Sequence, residues 1–430
     1  AITTASGVEQ ADIVRAAEIY AKSRRTVFGW TMGITHHEHG VDNVRAIVNL
    51  ALLRGMVGQP GSGLLPIRGH SNVQGMGSVG VTPQLKQEII DRLESLLQVR
   101  LPRSPGLDTM ACMQAAGRGE LKSALCLGGN LFGSNPDARF AHHSLGKLQL
   151  VTYLSTSLNT GHAWGRGQST LILPVLARDE EPEPTTQESM FSFVRLSDGG
   201  KERLRGPRSE IEIISTLAER VLGPASPLDW SAFRKHGRVQ EVIAKVIPGY
   251  QALSSILTTR QEFHIPGRRL NTPNFPTATG RARFKGVAIP RHPAAVDQLR
   301  LMTVRSEGQF NTVVYEEEDV YRGQDRRNVI LMNSHDIARL GLRVDQEVIV
   351  RSEVGVMHGI RVRAFDIRAG NALMYYPEAN VLVPATTDPE SHTPAFKNVL
   401  VAVLAQAASS EPETHVDPGG KRMPLHMSPG

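Results

Sequence analysis

Residues 33–80 read GITHHEHGVDNVRAIVNLALLRGMVGQPGSGLLPIRGHSNVQGMGSVG. The apolar spacing of Val41–Arg54 predicts a helix, stopped by Gly55. Residues 56–82 then form a glycine-rich loop in which one arginine stands, within Pro66-Ile67-Arg68-Gly69-His70-Ser71-Asn72-Val73-Gln74-Gly75. Glycines let a backbone approach a polar ligand closely, and this loop sets amide and guanidinium donors around that approach. Ahead of it, Thr26–Trp30 reads as a short buried strand, so strand, loop and helix predict an α/β unit.

The same alternation extends in both directions. A helix is expected over Val8–Ser23, capped by Ser6, and another over Leu85–Leu97. Strands are expected at Ser123–Gly128, Leu148–Leu154 and Thr170–Leu173. The first two run into polar loops, Gly128-Gly129-Asn130 and Ser155-Thr156-Ser157-Leu158-Asn159. Parallel strands that end in polar loops put ligands at their C-terminal edge. Arg178–Pro184 reads as an exposed acidic loop, Glu210–Val221 and Trp230–Val246 as helices, and 259–297 as an irregular connection. From Leu299 the texture changes. Short β-type runs at Leu299–Arg305, Asn328–Met332, Gln346–Ser352, Gly359–Ala364, Ala372–Tyr376 and Asn398–Leu404 predict a small barrel, with one helix at Ser334–Leu340. Residues 406–430 read as a disordered polar tail.

Composition narrows the function class. The chain has 430 residues, 40% hydrophobic and 21% charged, which fits about two to four globular domains. A net charge of +6 favours an anionic ligand. No compact Lys/Arg run with interleaved aromatics argues for nucleic acid, and no apolar run approaches a membrane span. The two cysteines, Cys112 and Cys126, form no CxxC pair, so no local iron–sulfur or zinc site is expected, and Cys126 reads as a core residue. Few thiols fit a reducing, cytoplasmic compartment. His36, His37 and His39 crowd one loop, but neighbouring histidines point in different directions and no second ligand group accompanies them, so no metal ligand is assigned. Glu316–Asp319 reads as a solvated turn. The abrupt start at Ala1 predicts a piece of a longer polypeptide.

The arginine loop resembles that of the molybdopterin-dependent oxidoreductases of the formate dehydrogenase-like alpha subunit group, within the DMSO reductase superfamily. The likeness starts in Met32–Gly40, continues through Asn49–Gly55 and Gly58–Gly63, and is strongest over Pro66–Gly75. Thr303-Val304-Arg305 with Gln309-Phe310-Asn311-Thr312 resembles the opening of the family's nucleotide-binding barrel. Tyr376-Pro377-Glu378-Ala379-Asn380 and Thr393-Pro394-Ala395-Phe396-Lys397 resemble its later binding loops. The likeness runs from about residue 1 to 404.

The resemblance implies an α/β fold: incomplete Rossmann-like domains followed by a C-terminal double-psi β-barrel. The implied division is 1–68 as the end of an α/β domain, 69–200 as a partial α/β pterin-dinucleotide domain and 201–297 as a connection, with 298–405 as the barrel. The implied cofactor is bis-molybdopterin guanine dinucleotide with molybdenum or tungsten; the family's [4Fe–4S] cluster and metal-ligating residue have no counterpart here and belong to an N-terminal part. By resemblance Arg68 lies beside the substrate pocket, where it can pair with a small anion such as formate. Gly69, His70, Asn72, Gly129, Asn130, Ser155, Thr156, Asn159, Thr303, Arg305, Gln309, Asn311, Asn380 and Lys397 are the implied cofactor contacts. Where many relatives carry an aspartate in the Ser155–Asn159 loop, this sequence has none. The implied partners are a small anionic substrate, an electron-transfer protein and the missing N-terminal half or a complementary subunit. The alternative is a cofactor-binding scaffold without catalysis of its own.

Overall fold

The computed structural model describes residues 2–267, 273–290 and 294–406, with the backbone alone of 415–416 and 422–423. The expected tail at 406–430 otherwise lies outside the described residues. Two compact units emerge. An α/β unit draws on Ala1–His292, Phe310–Val314 and Ala385–Lys397; a barrel unit draws on Pro293–Gln309, Tyr315–Pro384 and Asn398–Gly430.

In the α/β unit, β1 (Val27–Trp30) pairs in parallel with β2 (Gly63–Pro66), in register from Val27↔Gly63 to Trp30↔Pro66. The helix Gly40–Leu53 makes the crossover between them, and its C-terminal turn breaks where Gly55 takes φ 62°. The region expected as one long loop thus contains β2 and a further helix, Val73–Ser78. Gly-Leu-Leu-Pro is too short to show a period, so pattern reading passes over it. Its pairing matters for the site, because Arg68 follows only two residues after the strand ends.

β3 (Ser123–Leu127), β4 (Leu150–Ser155) and β5 (Ser169–Pro174) form a parallel sheet in that order. Helices Thr109–Gly117 and Ala138–Gly146 cover one face, where Met113, Ala141, Leu145, Val151 and Tyr153 make a buried cluster. Cys126 packs against that cluster half-buried, and burial pushes its thiol up to about 11. The other face is only partly covered: Leu154 on the central strand is buried, but Leu125 is 48% exposed, Leu127 52% and Leu171 51%.

A second, antiparallel sheet follows, from β6 (Thr185–Glu188), β7 (Phe193–Ser197) and β8 (Phe263–His264). It packs with helix His236–Val246 around Val194, Tyr250, Leu253, Ile256 and Ile265. Three sequence expectations change in this region and at the N-terminus. Trp230–Val246 is helical in the α sense only from His236, after a short 3₁₀ turn at Ala232–Arg234. Glu181, expected on an exposed loop, is 6% exposed and accepts a hydrogen bond from the Ser209 hydroxyl. The first long helix starts at Gln10 with Glu9 at its cap, while the Ser6 hydroxyl accepts the Val8 N–H in the preceding turn.

The barrel unit is a closed six-stranded barrel, in the order β10-β12-β11-β14-β9-β13. The strands are β9 (Gln298–Val304), β10 (Val329–Met332), β11 (Glu347–Arg351), β12 (Val356–Ala364), β13 (Asn371–Tyr375) and β14 (Lys397–Ala405). Two pairs run parallel, β9 with β13 and β10 with β12, which agrees with the expected double-psi barrel. Every residue of β10 is 0% exposed, so its unbroken Val-Ile-Leu-Met run is that of a strand packed on both faces. Closure leaves no unpaired edge.

Candidate functional site

Arg68 lies on an exposed loop two residues beyond β2. The ladder to β1 extends one step past the strand, where the Ile67 N–H donates to the Trp30 carbonyl at 2.8 Å. The Arg68 N–H donates to Met190 Sδ at 3.4 Å. Among the described residues its guanidinium has no hydrogen bond or ion pair. The backbone is therefore anchored while the charged fork stands in solvent. Gly69 is exposed beside it, and the His70 ring meets the Phe310 ring edge-on at 5.0 Å. Asn72 adopts φ 60°, and its side-chain oxygen accepts the Glu188 N–H at 3.0 Å.

The C-terminal edge of β3 and β4 gathers a second group. Gly128 and Gly129 take φ 67° and 70°, and no atom lies within 4 Å of where a Cβ would sit on either. That is open backbone which an L-residue would adopt only with strain. The Asn159 amide donates to the Gly129 carbonyl at 3.2 Å. Asn130 is 2% exposed; its amide donates to Thr160 Oγ1 at 2.9 Å and to the Thr312 carbonyl at 3.3 Å. Ser155 is buried and its hydroxyl donates to the Ser157 carbonyl, while Thr156 is exposed. The segment Phe310–Thr312, which includes Asn311 at φ 50°, touches both His70 and Asn130. It joins the arginine loop to the strand-end loops within one unit.

His162 belongs to this edge and was missed from sequence. Its Nδ1 accepts the Asn159 N–H at 3.1 Å, and burial lowers its pKa by disfavouring the charged ring. The signal available was the Asn159-x-x-His162 spacing of a capping box. Among the described residues His162 Nε2 and Thr312 Oγ1 are buried without a hydrogen-bond partner. A buried polar atom left unmet costs about 1–3 kcal/mol, so such atoms point to a group the chain itself does not supply. Open glycine backbone, buried amides and two orphaned polar atoms suit a polar, phosphate-bearing ligand.

Lys397 sits elsewhere in the α/β unit, its N–H donating to the His36 carbonyl at 3.0 Å beside the Phe396–His36 ring contact. His37 Nε2 lies 3.0 Å from the Gly33 carbonyl. Among the described residues no group of His, Cys, Asp or Glu is arranged to hold a metal ion. A cavity of about 400 Å³ lies along the helix Gly40–Leu53, lined by Val41, Val44, Arg45, Val48, Arg283 and Lys285 among others; neither Arg68 nor any of the implied cofactor contacts lines it.

In the barrel unit, Thr303 is 1% exposed on β9 and Asn380 is 1% exposed in the turn Glu378–Leu382. The Arg305 guanidinium lies 4.6 Å from the centre of the Tyr376 ring. The Gln309 amide donates to the Tyr376 carbonyl at 2.8 Å, and its oxygen accepts the Ser306 N–H at 3.1 Å. These bonds tie the loop after β9 to the loop after β13, the two carrying the barrel's sequence motifs. Beneath them Arg327 pairs with Glu378 at 2.6 Å and also donates to Ser306 and the Tyr376 carbonyl, an organiser that sequence reading did not find.

Comparison with known proteins finds two family matches along the chain. Residues 14–189 match the family described as Molybdopterin oxidoreductase, and residues 299–400 match the Molydopterin dinucleotide binding domain. The chain is 34% identical over 422 residues to an uncharacterized oxidoreductase of Mycobacterium tuberculosis (strain ATCC 25618 / H37Rv), covering 93% of this chain and 54% of that protein. It is 25% identical to the F420-dependent formate dehydrogenase 2 subunit alpha of Methanococcus maripaludis, covering 93% of this chain and 61% of that one. Among solved structures it is similar in fold to acetylene hydratase from Pelobacter acetylenicus, with a TM-score of 0.64 at 14% identity, covering 93% of this chain and 63% of that one. The chain spans about half the length of the curated relatives it matches first. Among the described residues no helix is long and apolar enough to cross a membrane. The matched binding domain carries the cofactor expectation with it: a molybdopterin dinucleotide bearing molybdenum or tungsten. With both matched in order, the chain carries a Molybdopterin oxidoreductase domain followed by a Molydopterin dinucleotide binding domain.

Proposed function

We propose that this chain forms the C-terminal portion of a formate dehydrogenase-like enzyme that removes two electrons from formate or a similarly small anion. The observation that carries the reading is the Arg68 guanidinium, uncommitted on a loop whose backbone is pinned. A planar fork of five donors binds a carboxylate through two parallel hydrogen bonds and fixes its orientation. The molybdenum or tungsten centre, when bound, supplies the two-electron redox chemistry. The chain's own part is to hold the cofactor and aim the anion. Gly69, His70 and Asn72 would contribute from the arginine loop; Gly129, Asn130, Ser155, Thr156 and Asn159 from the strand ends. Thr303, Arg305, Gln309, Asn311, Asn380 and Lys397 would hold pterin, phosphate and nucleotide groups. A [4Fe–4S] cluster, an electron-transfer partner and a cytoplasmic setting complete the proposal, as do the domain boundaries 1–68, 69–200, 201–297 and 298–405. The likeness to a formate dehydrogenase alpha subunit supports it.

A second reading is favoured by the partly covered sheet face at Leu125, Leu127 and Leu171. On it, residues 1–430 are a cofactor-binding scaffold that acts only with a complementary polypeptide. One experiment separates the two. The full-length parent, and residues 1–430 alone, are purified and assayed for bound metal, for GMP released on hydrolysis and for formate-dependent dye reduction. Dye reduction by the parent supports the enzyme; cofactor without turnover in either supports the scaffold. In the parent, Arg68→Lys is expected to weaken kcat/KM by about 2–4 kcal/mol, roughly 30- to 1,000-fold. Unchanged turnover would remove Arg68 from the site.

A further inference from the structure

The loop that presents Arg68 is tied to the interior of its unit by side chains that the substrate reading leaves unused. Asn72 Oδ1 accepts the Glu188 N–H at 3.0 Å. Glu188 is 3% exposed, and its Oε2 accepts the Tyr250 hydroxyl at 2.5 Å. Tyr250 is itself 3% exposed and belongs to the apolar cluster of Val246, Ile247, Leu253 and Ile256. Two residues past Glu188, Met190 Sδ accepts the Arg68 N–H at 3.4 Å. The fit is close. A Cβ on Gly75 would lie 2.0 Å from Asn72 Oδ1 and 3.3 Å from Glu188 Cβ.

This arrangement needs a reason. A carboxyl group this deep carries a desolvation cost, and an apolar side chain would fill the space without one. What the polar pair adds is direction. A buried hydrogen bond between two fixed side chains holds the end of β6 at one register against the core. The end of β6 is where the arginine loop attaches, at Asn72 through Glu188 N–H and at Arg68 through Met190. Two anchors, four residues apart in the loop and two apart at and just past the end of β6, stop it from both sliding and twisting.

We propose that Glu188 and Tyr250 are positioning residues which, through Asn72 and Met190, hold the loop so that Arg68 meets its anion in one orientation. The inference rests on the reading of Arg68 as the anion-binding residue. Neither Glu188 nor Tyr250 touches the anion. Their effect reaches it only through the loop backbone.

The test uses Tyr250→Phe, Glu188→Leu, Glu188→Gln and, as reference, Arg68→Lys in the cofactor-loaded full-length parent. Amide hydrogen exchange over residues 67–76 is followed alongside formate kinetics and thermal unfolding. Tyr250→Phe and Glu188→Leu are expected to speed exchange of the loop amides about tenfold, as loss of one buried hydrogen bond would. They should raise the KM for formate by a similar factor with a smaller change in kcat. Glu188→Gln retains a carbonyl acceptor for the tyrosine and should restore most of both. Unchanged loop exchange in Tyr250→Phe overturns the brace. Faster exchange with an unchanged KM, while Arg68→Lys still loses turnover, overturns the positioning role and leaves the Arg68 reading intact. An Arg68→Lys enzyme of normal turnover sinks the Arg68 reading first, and the positioning proposal with it. A general loss of stability would lower active enzyme and hence apparent kcat, and would not be rescued selectively in KM by glutamine.

Discussion

Arg327 closes the charged run Asp325-Arg326-Arg327, just ahead of the strand expected from Asn328. Asp325 is exposed and Arg326 half-buried, yet Arg327 is 4% exposed, bonded to Glu378 and stacked over the Tyr315 and Tyr375 rings. No pattern in a charged run says which member turns inward; only the distant partners do. Glu378→Gln leaves this guanidinium buried with a neutral partner and is expected to cost about 3 kcal/mol, the low end for a broken buried pair because Ser306 and the Tyr376 carbonyl still bind it. Urea unfolding of the barrel measures it. Asp319, expected on a solvated turn but 1% exposed because Arg322, Tyr375 and the Glu307 N–H hold it inward, gives a pH-dependent counterpart. Burial alone would raise its carboxyl, but hydrogen bonds from Arg322, the Tyr375 hydroxyl and the Glu307 N–H outweigh that and hold it below the ordinary value. Its folded pKa being the lower one, the stability it adds is full above the ordinary aspartate pKa of about 3.9 and is lost as pH falls through the folded value. Asp319→Asn should therefore flatten the acid loss of stability below about pH 4, read from unfolding midpoints across that range. Arg68 was legible because its motif is local. His162, Glu188 and Tyr250 were not, because each acts through a partner supplied by the fold.

Among elements, the barrel strands could be read almost residue by residue, since apolar runs separated by turn signals leave few alternatives. β6 could not: Thr-Thr-Gln-Glu has no apolar member, and it becomes a strand only through its ladder to β7. β2 was hidden for the same reason of length. The crossover helix Gly40–Leu53 was legible from its period, but the closeness at its start was not. A Cβ on Gly40 would lie 2.2 Å from the Thr35 carbonyl oxygen, while one on Gly33 would meet nothing within 4 Å. Gly40→Ala is expected to destabilise by about 1–3 kcal/mol, as overpacking does. Gly33→Ala should stay within about 0.5 kcal/mol. Thermal unfolding of the two variants side by side checks the contrast.

For the molecule as a whole, the sheet β3–β4–β5 is the telling feature. Parallel sheets are covered on both faces, and this one leaves Leu125, Leu127 and Leu171 of its second face about half exposed. Composition cannot announce this, because Leu125, Leu127 and Leu171 read as ordinary core positions of half-buried strands. The chain spans about half the length of the mycobacterial relative it matches. Purified alone, residues 1–430 should bind a hydrophobic dye and self-associate through this face. The pair Leu125→Ser and Leu171→Ser should reduce both by severalfold with little loss of melting temperature, as removal of exposed apolar surface would. Dye binding and light scattering decide it.

The opposite, covered face of the same sheet holds Cys126, whose thiol burial pushes up to about 11. Near pH 8 only about one such thiol in a thousand is ionised, and thiolate is the reactive form. A maleimide or similar reagent therefore reaches Cys126 chiefly when β3 lifts away from its helices. Its labelling half-life becomes a built-in clock for the opening of the sheet that ends in Gly128, Gly129 and Asn130, and anything that fills those loops should slow the clock.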